Sequence, residues 1–423
     1  MIQRIEALHY RSLRFVAQDL APFQLLVGPN GAGKSNLLDA IAFLGDLLNL
    51  GPVGAILGDR KRGVSPRVES PRHLCWMREG SRFELAVELE IPSGLRGKVC
   101  ETFGRVRYEV AIDAAMNGDE VGIAGETLWL TPERAPHAPV QRQLFPAPPA
   151  LPDTLLTARA RPGWRRVVNK VRQSGTDYFT AETSGWNHPF TLGPTRSALA
   201  NLPEDETKFP VAIWTKRVLT DGIHRIALNA EAMRRPSPPG APKTYAPDGS
   251  NLPWVAEHLR ENDEDRFARW LDHVRGVIPE LKNIRTVDRP EDRHRYLVLQ
   301  HGNGFEAPCW LVSDGTLRLL ALTLLAYVPG VEGVYLIEEP ENGIHPRAVE
   351  TLHESLSSVF GAQLLCASHS PLLLGMAQPQ EILCFAKDSA GATDVVRGSE
   401  HPRLKDWKGT VDLGQLHAAG VLG

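Results

Sequence analysis

The sequence predicts an α/β protein whose mixed, largely parallel core sheet is assembled from both ends of the chain. Near the start, the apolar run FQLLVG at 23–28 is followed by a loop and by the helical spacing of NLLDAIAFLGDLLNL. Near the end, VYLIEE at 334–339 and AQLLCASHS at 362–370 are further buried-strand patterns that alternate with helical stretches. Such alternation at both ends favours one parallel sheet built from the two terminal segments.

The middle of the chain has a different character. RFELAVELEI and RVRYEVAID alternate apolar and polar residues strictly, which predicts an antiparallel sheet with one face toward water. The proline-rich stretch 131–153 predicts an irregular insertion. We therefore expect a core from residues 1–60 and 295–423, an antiparallel β lobe with the proline-rich insertion over 80–200, and a mainly helical insertion or lid over 204–290.

The overall composition argues against several classes of protein. A formal net charge of −3 gives no global attraction to DNA or anionic membranes, so a nucleic-acid surface would have to be a local patch. The five cysteines show no CxxC pair or zinc-like spacing, which predicts reduced thiols and a cytoplasmic location. The start of the chain has no apolar signal-peptide region. The most apolar run, 317–328, is shorter than a membrane span and predicts a buried helix.

A complete phosphate-binding loop follows the first buried strand. It consists of Gly28, Pro29, Asn30, Gly31, Ala32, Gly33, Lys34 and Ser35. This is GxxxxGK[ST] in the strand–loop–helix context that the motif requires, which favours nucleotide binding over a glycine-rich turn with an incidental lysine. The glycines let successive N–H groups face phosphate oxygens, Lys34 can reach the β- and γ-phosphates of ATP, and Ser35 can ligate Mg²⁺.

A phosphate loop predicts an acidic strand end beside it, because Mg²⁺ needs a carboxylate or a carboxylate-bound water. The stretch VYLIEE at 334–339 supplies such a strand end. We assign Glu338 to Mg²⁺ and Glu339 to the attacking water. Aspartate is usual at the first position, so Glu338 reaches the metal either directly or through water. The alternative is an exposed acidic turn after a strand. With Lys34 and His369, these two glutamates are the catalytic candidates.

Two further groups of residues have both a functional and a structural interpretation. His369, at the end of a predicted strand, either senses the γ-phosphate or caps the strand end. Ser313, Asp314, Gly315 and Thr316 precede an apolar helix, where Ser313 would make a good N-cap. The same helix start could instead offer an anion site to the γ-phosphate held by another subunit.

The order of these motifs resembles the ABC-type ATPase heads of the SMC, DNA-repair and OLD-like group, and more closely the compact bacterial AAA family ATPases of that clade. The resemblance rests on the phosphate loop near residue 30, followed after a long insertion by VSDGT, LIEEPENGIHP and ASHSP. It covers residues 1–50 and 309–423, with partial support from YAPDGSNLPWV at 245–255. It implies the fold of a P-loop NTPase with an ABC-type head.

The resemblance also implies roles for particular residues. VSDGT stands where transporters carry LSGGQ, so Ser313 and Gly315 would act on the ATP of a partner subunit. Residues 341–346 would be the D-loop at the dimer interface. Arg11 and Ser12 would lie near the nucleotide, and Asn36 completes the nucleotide-binding set. A Q-loop has no convincing position in the sequence.

We therefore expect a cytoplasmic ATPase that forms a head-to-tail homodimer, or a higher oligomer, around ATP and Mg²⁺. The 53 residues from Pro371 are too few for the TOPRIM nuclease of OLD proteins, and the proline-rich middle cannot form the coiled coil of SMC proteins. The expected effector is thus a separate protein, such as a nuclease, in bacterial anti-phage defence.

Two alternatives remain open. A nuclease activity of this protein is a further possibility, but no recognisable metal cluster in the sequence supports it. One is a DNA-binding head in repair or chromosome maintenance, using the basic stretches 161–173 and 59–67, which could equally be solvated surface. The other is the nucleotide-binding subunit of a membrane transporter. The degenerate VSDGT, the missing Q-loop and the large insertion count against the transporter, so we expect no membrane partner.

Overall fold

The computed structural model describes residues 1–78, 80–99, 102–116, 120–133, 151–171, 177–401 and 413–418. Most of the proline-rich insertion therefore lies outside the described residues. The described strands form three sheets. The predicted α/β fold, with a core sheet drawn from both chain ends, is confirmed.

The largest sheet is antiparallel and has the strand order β2-β1-β4-β5-β6-β7-β8-β9. Its strands are β1 (Ile2–Tyr10), β2 (Leu13–Asp19), β4 (Arg82–Glu90), β5 (Phe103–Met116), β6 (Glu120–Pro132), β7 (Arg165–Val171), β8 (Tyr178–Thr180) and β9 (Asn187–Pro189). The sequence analysis placed β1 and β2 in the core, but β1 pairs with β4 over Ile2–Leu8 and joins the antiparallel sheet.

The second sheet has six strands in the order β10-β14-β15-β3-β16-β17. They are β3 (Phe23–Val27), β10 (Ile223–Ile226), β14 (Gly333–Glu338), β15 (Ala362–Ala367), β16 (Ile382–Lys387) and β17 (Thr393–Arg397). Neighbouring strands are parallel except for the β16–β17 hairpin. The carboxyl ends of β3, β14 and β15 therefore meet at one edge of this sheet.

A third, three-stranded sheet consists of β11 (Leu281–Asp288), β12 (Arg295–His301) and β13 (Glu306–Pro308). Helices fill the remaining structure. They are α1 (Lys34–Leu57), α2 (Ser93–Val99), α3 (Pro210–Asp221), α4 (Ala230–Arg234), α5 (Leu252–Asn262), α6 (Glu264–Arg275), α7 (Asp314–Leu324), α8 (Val349–Ser357), α9 (Pro371–Met376) and α10 (Leu413–Ala418). The region 204–290 thus carries four helices together with β10 and β11.

Helix α1 lies in the core between the antiparallel sheet and the six-stranded sheet, and its buried residues include Leu37, Ile41 and Phe43. By length and composition alone it could cross a membrane. However, 61% of its apolar window is buried within the fold, and the left-handed Gly51 (φ 71°) before Pro52 interrupts the helix. A buried core helix accounts for its apolar composition.

The expectation of one wet face on the antiparallel sheet is wrong. Glu84, Glu109 and Glu126 are at most 3% exposed, because loops cover the second face of the sheet. These carboxylates accept hydrogen bonds from backbone N–H groups of the covering loops, at Leu155, Thr157 and Ala198 respectively. The polar residues that alternate with apolar ones in these strands therefore lie on a second buried face, where each glutamate binds a covering loop to the sheet by hydrogen bonds.

Candidate functional site

The phosphate loop joins the end of β3 to the start of α1 in the shape that its glycines allow. Gly28, Gly31 and Gly33 have φ values of 145°, 75° and 111°, a region that L-residues with a Cβ rarely adopt. A Cβ on Gly28 would lie 2.2 Å from the carbonyl oxygen of Phe385 on the neighbouring strand β16. All three positions favour glycine through their backbone conformation, and Gly28 is also required by close packing.

Lys34 is the first residue of α1 and is only 6% exposed. Its Nζ donates to the carbonyl oxygens of Gly28 and Pro29, at 2.7 and 3.0 Å. Burial lowers the pKa of Lys34 to about 8, although Glu339 and Glu338 act in the opposite direction. The ammonium group is thus held across the loop, where a phosphate could replace the two carbonyl oxygens as its partner.

Ser35 and Glu338 meet across the carboxyl edge of the core sheet. Ser35 Oγ donates to Glu338 Oε2 at 2.6 Å, although 303 residues separate them in the sequence. Both side chains are exposed, and Glu338 is the last residue of β14. The hydroxyl of Ser35, at the start of α1, and the carboxylate of Glu338, at the end of β14, are in contact. This pair of oxygen ligands suits Mg²⁺, which binds few protein oxygens and completes its shell with water and phosphate.

Glu339 follows β14 in a left-handed conformation, with φ at 48°. Its N–H donates to the carbonyl oxygen of Ala367 at 2.8 Å, and its own carbonyl oxygen accepts from the N–H of Asn342 at 3.0 Å. Its carboxylate is exposed and accepts a longer bond, 3.4 Å, from Asn342 Nδ2. Such strain in a non-glycine residue is typical of functional sites. Here the strained residue directly follows Glu338, the last residue of β14.

Glu341 is a site residue that the sequence analysis missed. We expected residues 341–346 to form the D-loop at a dimer interface and gave Glu341 no role at the nucleotide site. Glu341 Oε1 nevertheless accepts from Ser368 Oγ at 2.6 Å and from the N–H of His369 at 3.3 Å. His369 is half-buried, and burial and then the charge of Lys34 lower its pKa, so the ring is neutral at pH 7. Glu341 therefore holds the histidine-bearing strand end in place.

These groups lie around one open cavity. It is lined by Asn30, Glu339, Glu341, Asn342, His369 and Ser370. The phosphate loop, the acidic strand end and the histidine strand end thus border the same space. The three motifs come from opposite ends of the chain and converge because β3 and β14 both pair with β15.

Arg11 and Ser12 occupy the turn between β1 and β2. Ser12 Oγ accepts a hydrogen bond from Asn36 Nδ2 at 2.7 Å, which brings the turn against the first turn of α1. Arg11 has φ at 52°, and its Nε lies 3.0 Å from a carboxylate oxygen of Asp39. Ser12 and Asn36 thus lie against the phosphate loop, whereas the Arg11 guanidinium is paired one turn further along α1.

Asp39 is the centre of a buried charged cluster under the site. Its carboxylate accepts from Tyr10 Oη at 2.6 Å and from Arg67 Nε at 2.9 Å, and Arg225 approaches to 3.5 Å. Arg67 also pairs with Asp46 at 2.5 Å. Burial raises the pKa of Asp39, but the arginines outweigh it and the pKa is lowered. The cluster joins α1, the β1–β2 turn and β10.

The segment 313–316 begins α7, and Ser313 is its N-cap, with Oγ accepting from the N–H of Thr316 at 3.3 Å. Ser313 and Asp314 are exposed, and Asp314 pairs with Arg234 at 2.5 Å. A Cβ on Gly315 would lie 2.1 Å from the carbonyl oxygen of Gly343. The N-cap interpretation is therefore correct. Close packing against Gly343 also requires glycine at position 315, whether or not Gly315 contacts a partner's phosphate.

Strand β10 was not predicted, because a strand of four residues gives little periodic signal. It forms the sheet edge beside β14. The residues after it, Ala227 and Leu228, line a cavity of about 320 Å³ together with Glu338 and Glu339.

The basic stretch 161–173 is largely engaged within the fold, as far as its residues are described. Arg165 donates to the carbonyl oxygen of Glu182, and Arg166 lies 4.3 Å over the Trp129 ring and donates to Ala158. Lys170 is 5% exposed and donates to the carbonyl oxygen of Gly193 at 3.0 Å. These cations hold loops to the antiparallel sheet, so the stretch gives little support to a DNA-binding surface.

Comparisons with known proteins identify the same architecture. A model of the family described as "AAA domain, putative AbiEii toxin, Type IV TA system" matches residues 23–72 and 157–375, more than half of the chain. No curated protein matches the sequence. The fold is similar to the crystal structure of an Smc head bound to the C-winged helix domain of ScpA, with 14% identity and a TM-score of 0.52 over 93% of this chain and 97% of that chain. It is also similar to an Smc head with an extended coiled coil bound to the C-terminal domain of ScpA from Pyrococcus furiosus, with 12% identity and a TM-score of 0.50 over 93% and 95% of the two chains.

Proposed function

Since the chain belongs to this AAA-domain family and has the fold of an SMC-like ATPase head, we propose that it is an ATPase that converts ATP and water to ADP and phosphate. The observation that carries the proposal is the 2.6 Å contact between Ser35 and Glu338. It brings a loop built to bind phosphates together with the acidic strand end that such chemistry needs. An isolated glycine-rich turn would have no reason to meet that carboxylate.

In this proposal Ser35 and Glu338 would hold Mg²⁺, which when bound would supply positive charge to neutralise the β- and γ-phosphates. Lys34 exchanges its two carbonyl partners for phosphate oxygens. Glu339 orients the attacking water and accepts its proton as the bond from the γ-phosphorus to the leaving oxygen breaks. His369, held by Glu341, contacts the γ-phosphate from the neighbouring strand end.

We further propose that two copies of the chain associate head-to-tail around two ATP molecules. Ser313 and Gly315 are exposed or half-exposed at the start of α7, where backbone N–H groups could meet the γ-phosphate of the other copy. Opening after hydrolysis would then act as a switch on a separate effector, such as a nuclease, in anti-phage defence. The toxin named in the family description supports a defence context. The similar Smc head bound to ScpA supports the use of a separate partner protein.

Two substitutions test the proposal. Glu339→Gln removes the proton acceptor while keeping the shape, so we expect hydrolysis to slow by about 10²- to 10⁴-fold with ATP still bound. That variant should accumulate ATP-dependent dimers in sedimentation velocity. Lys34→Ala should lose nucleotide binding because the loop lacks its cation. Wild-type turnover in Lys34→Ala would refute the phosphate-loop assignment, and a monomeric, ATP-bound Glu339→Gln variant would refute the dimer.

A further inference from the structure

The back of the phosphate loop rests on a residue from the far end of the chain. Thr393, the first residue of β17, is 4% exposed, and its Oγ1 donates to the carbonyl oxygen of Ala32 at 2.8 Å. The same oxygen lies 2.7 Å from Ser12 Oγ, and the N–H of Thr393 donates to the carbonyl oxygen of Ser12 at 3.0 Å. Thr393 therefore touches both the phosphate loop and the β1–β2 turn.

The direction of these hydrogen bonds can be assigned. The single hydroxyl proton of Thr393 is used toward Ala32, so Ser12 must donate to Thr393. Ser12 Oγ in turn accepts from Asn36 Nδ2 at 2.7 Å. The result is one continuous chain of donors from Asn36 through Ser12 and Thr393 to Ala32, in which each bond polarises the next.

The packing around this chain leaves no room for another side chain. A Cβ on Gly33 would lie 2.2 Å from Thr393 Oγ1 and 2.9 Å from Ser12 Oγ. In a trans peptide the carbonyl of Ala32 and the N–H of Gly33 point in opposite directions. Anchoring the Ala32 carbonyl toward Thr393 therefore turns the Gly33 N–H toward the opposite side of the loop, where phosphate oxygens would bind.

We infer that Thr393 is a positioning residue of the nucleotide site, which orients the Ala32–Gly33 peptide for phosphate binding and joins the phosphate loop to the antiparallel sheet through Ser12. This rests on the proposed function, since it assumes that the loop binds a nucleotide. The inference goes further in assigning part of the site to the β16–β17 hairpin. It also provides a physical route by which a nucleotide could affect the antiparallel sheet.

The test uses the full chain and measures ADP binding by isothermal titration calorimetry, together with thermal unfolding. Thr393→Val keeps the shape but removes the hydroxyl, and we expect ADP affinity to fall about three- to tenfold, the loss of one buried hydrogen bond. Thr393→Ser should restore it. Thr215→Val is the matched control, because Thr215 is also a fully buried threonine that donates to a carbonyl oxygen, at 2.8 Å within α3. Its ADP affinity should stay at the wild-type value.

The outcomes separate this inference from the proposed function. If Thr393→Val binds ADP as tightly as the wild type while Lys34→Ala does not bind, Thr393 has a structural role only and the inference is overturned. If the wild-type protein binds neither ADP nor ATP, the proposed function falls and the inference with it. Should Thr393→Val fail to fold, Ser12→Ala removes the donor to Thr393 and should weaken ADP binding in the same direction; unchanged affinity there would also overturn the inference.

Discussion

Glu182 should make the stability of the fold depend on pH in an unusual direction. Its carboxyl group is fully buried and accepts from the N–H groups of Val211 and Ala212 at the start of α3, at 2.8 and 2.7 Å. Burial raises the pKa of Glu182 to about 7, although both N–H groups and Arg165 act to lower it. The perturbation that tests this is Glu182→Gln, which keeps the shape and cannot titrate.

The magnitude follows from the two pKa values. In the unfolded chain the carboxyl titrates near 4.5, and in the folded protein near 7, so the folded state holds the proton more tightly. The stabilising contribution of this group is therefore fully present below pH 4.5 and lost as the pH rises through 7. At about 1.4 kcal/mol for each tenfold change in proton affinity, the free energy of unfolding falls by at most about 3 kcal/mol over that interval.

The assay is urea unfolding of the wild type and Glu182→Gln at several pH values between about 5 and about 8. The difference between their free energies of unfolding removes the titration of all other groups. We expect the wild type to lose stability relative to the variant as the pH rises. Parallel pH profiles would refute the argument, because they would mean that Glu182 has the same pKa in the folded protein as in the unfolded chain.

Two further pairs of substitutions test the geometry of the site. Gly28→Ala would place a Cβ against the backbone of β16, so we expect nucleotide affinity to be lost and the protein to be destabilised by about 1–3 kcal/mol. Gly63 also has a positive φ, 70°, but a Cβ there would have no neighbour within 4 Å, so Gly63→Ala should retain full ADP affinity in calorimetry. Arg67→Met removes a buried cation from its two carboxylate partners and should cost about 3–5 kcal/mol in urea unfolding. Arg62→Met loses an exposed ion pair of 3.7 Å and an exposed hydrogen bond to the carbonyl oxygen of Asn49, so the cost should stay below about 1 kcal/mol. Equal effects within either pair would contradict the assigned contacts.

The sequence was most informative where one chemical purpose constrains several neighbouring residues. The phosphate loop and the VYLIEE strand each carry their function in a short stretch, and the structure brings Ser35 and Glu338 into contact. The parallel core followed from apolar runs that alternate with helical patterns. In both cases a short stretch of sequence is enough to predict a contact or a strand that forms between distant parts of the chain.

The features that sequence analysis missed depend on partners far away in the chain. Thr393 meets Ala32 across 361 positions, and nothing in the local sequence marks it. Glu84 was read as a residue facing water because its partner, the N–H of Leu155, is a backbone group in an irregular loop. Glu341 was expected only as the first residue of the D-loop, but a hydrogen bond from Ser368 holds its carboxylate at the site. Buried polar pairs of this kind have no periodicity to reveal them.

The position of β3 has a consequence for the order in which the protein can mature. Both neighbours of β3, namely β15 and β16, are translated more than 330 residues after it. An emerging chain therefore carries the phosphate loop for most of its synthesis without the strands that hold it or the hydroxyl of Thr393 beneath it. Contacts of such long sequence separation form slowly. Nucleotide binding should accordingly be a late event in folding, because it requires the C-terminal strands to have been synthesised and paired with β3.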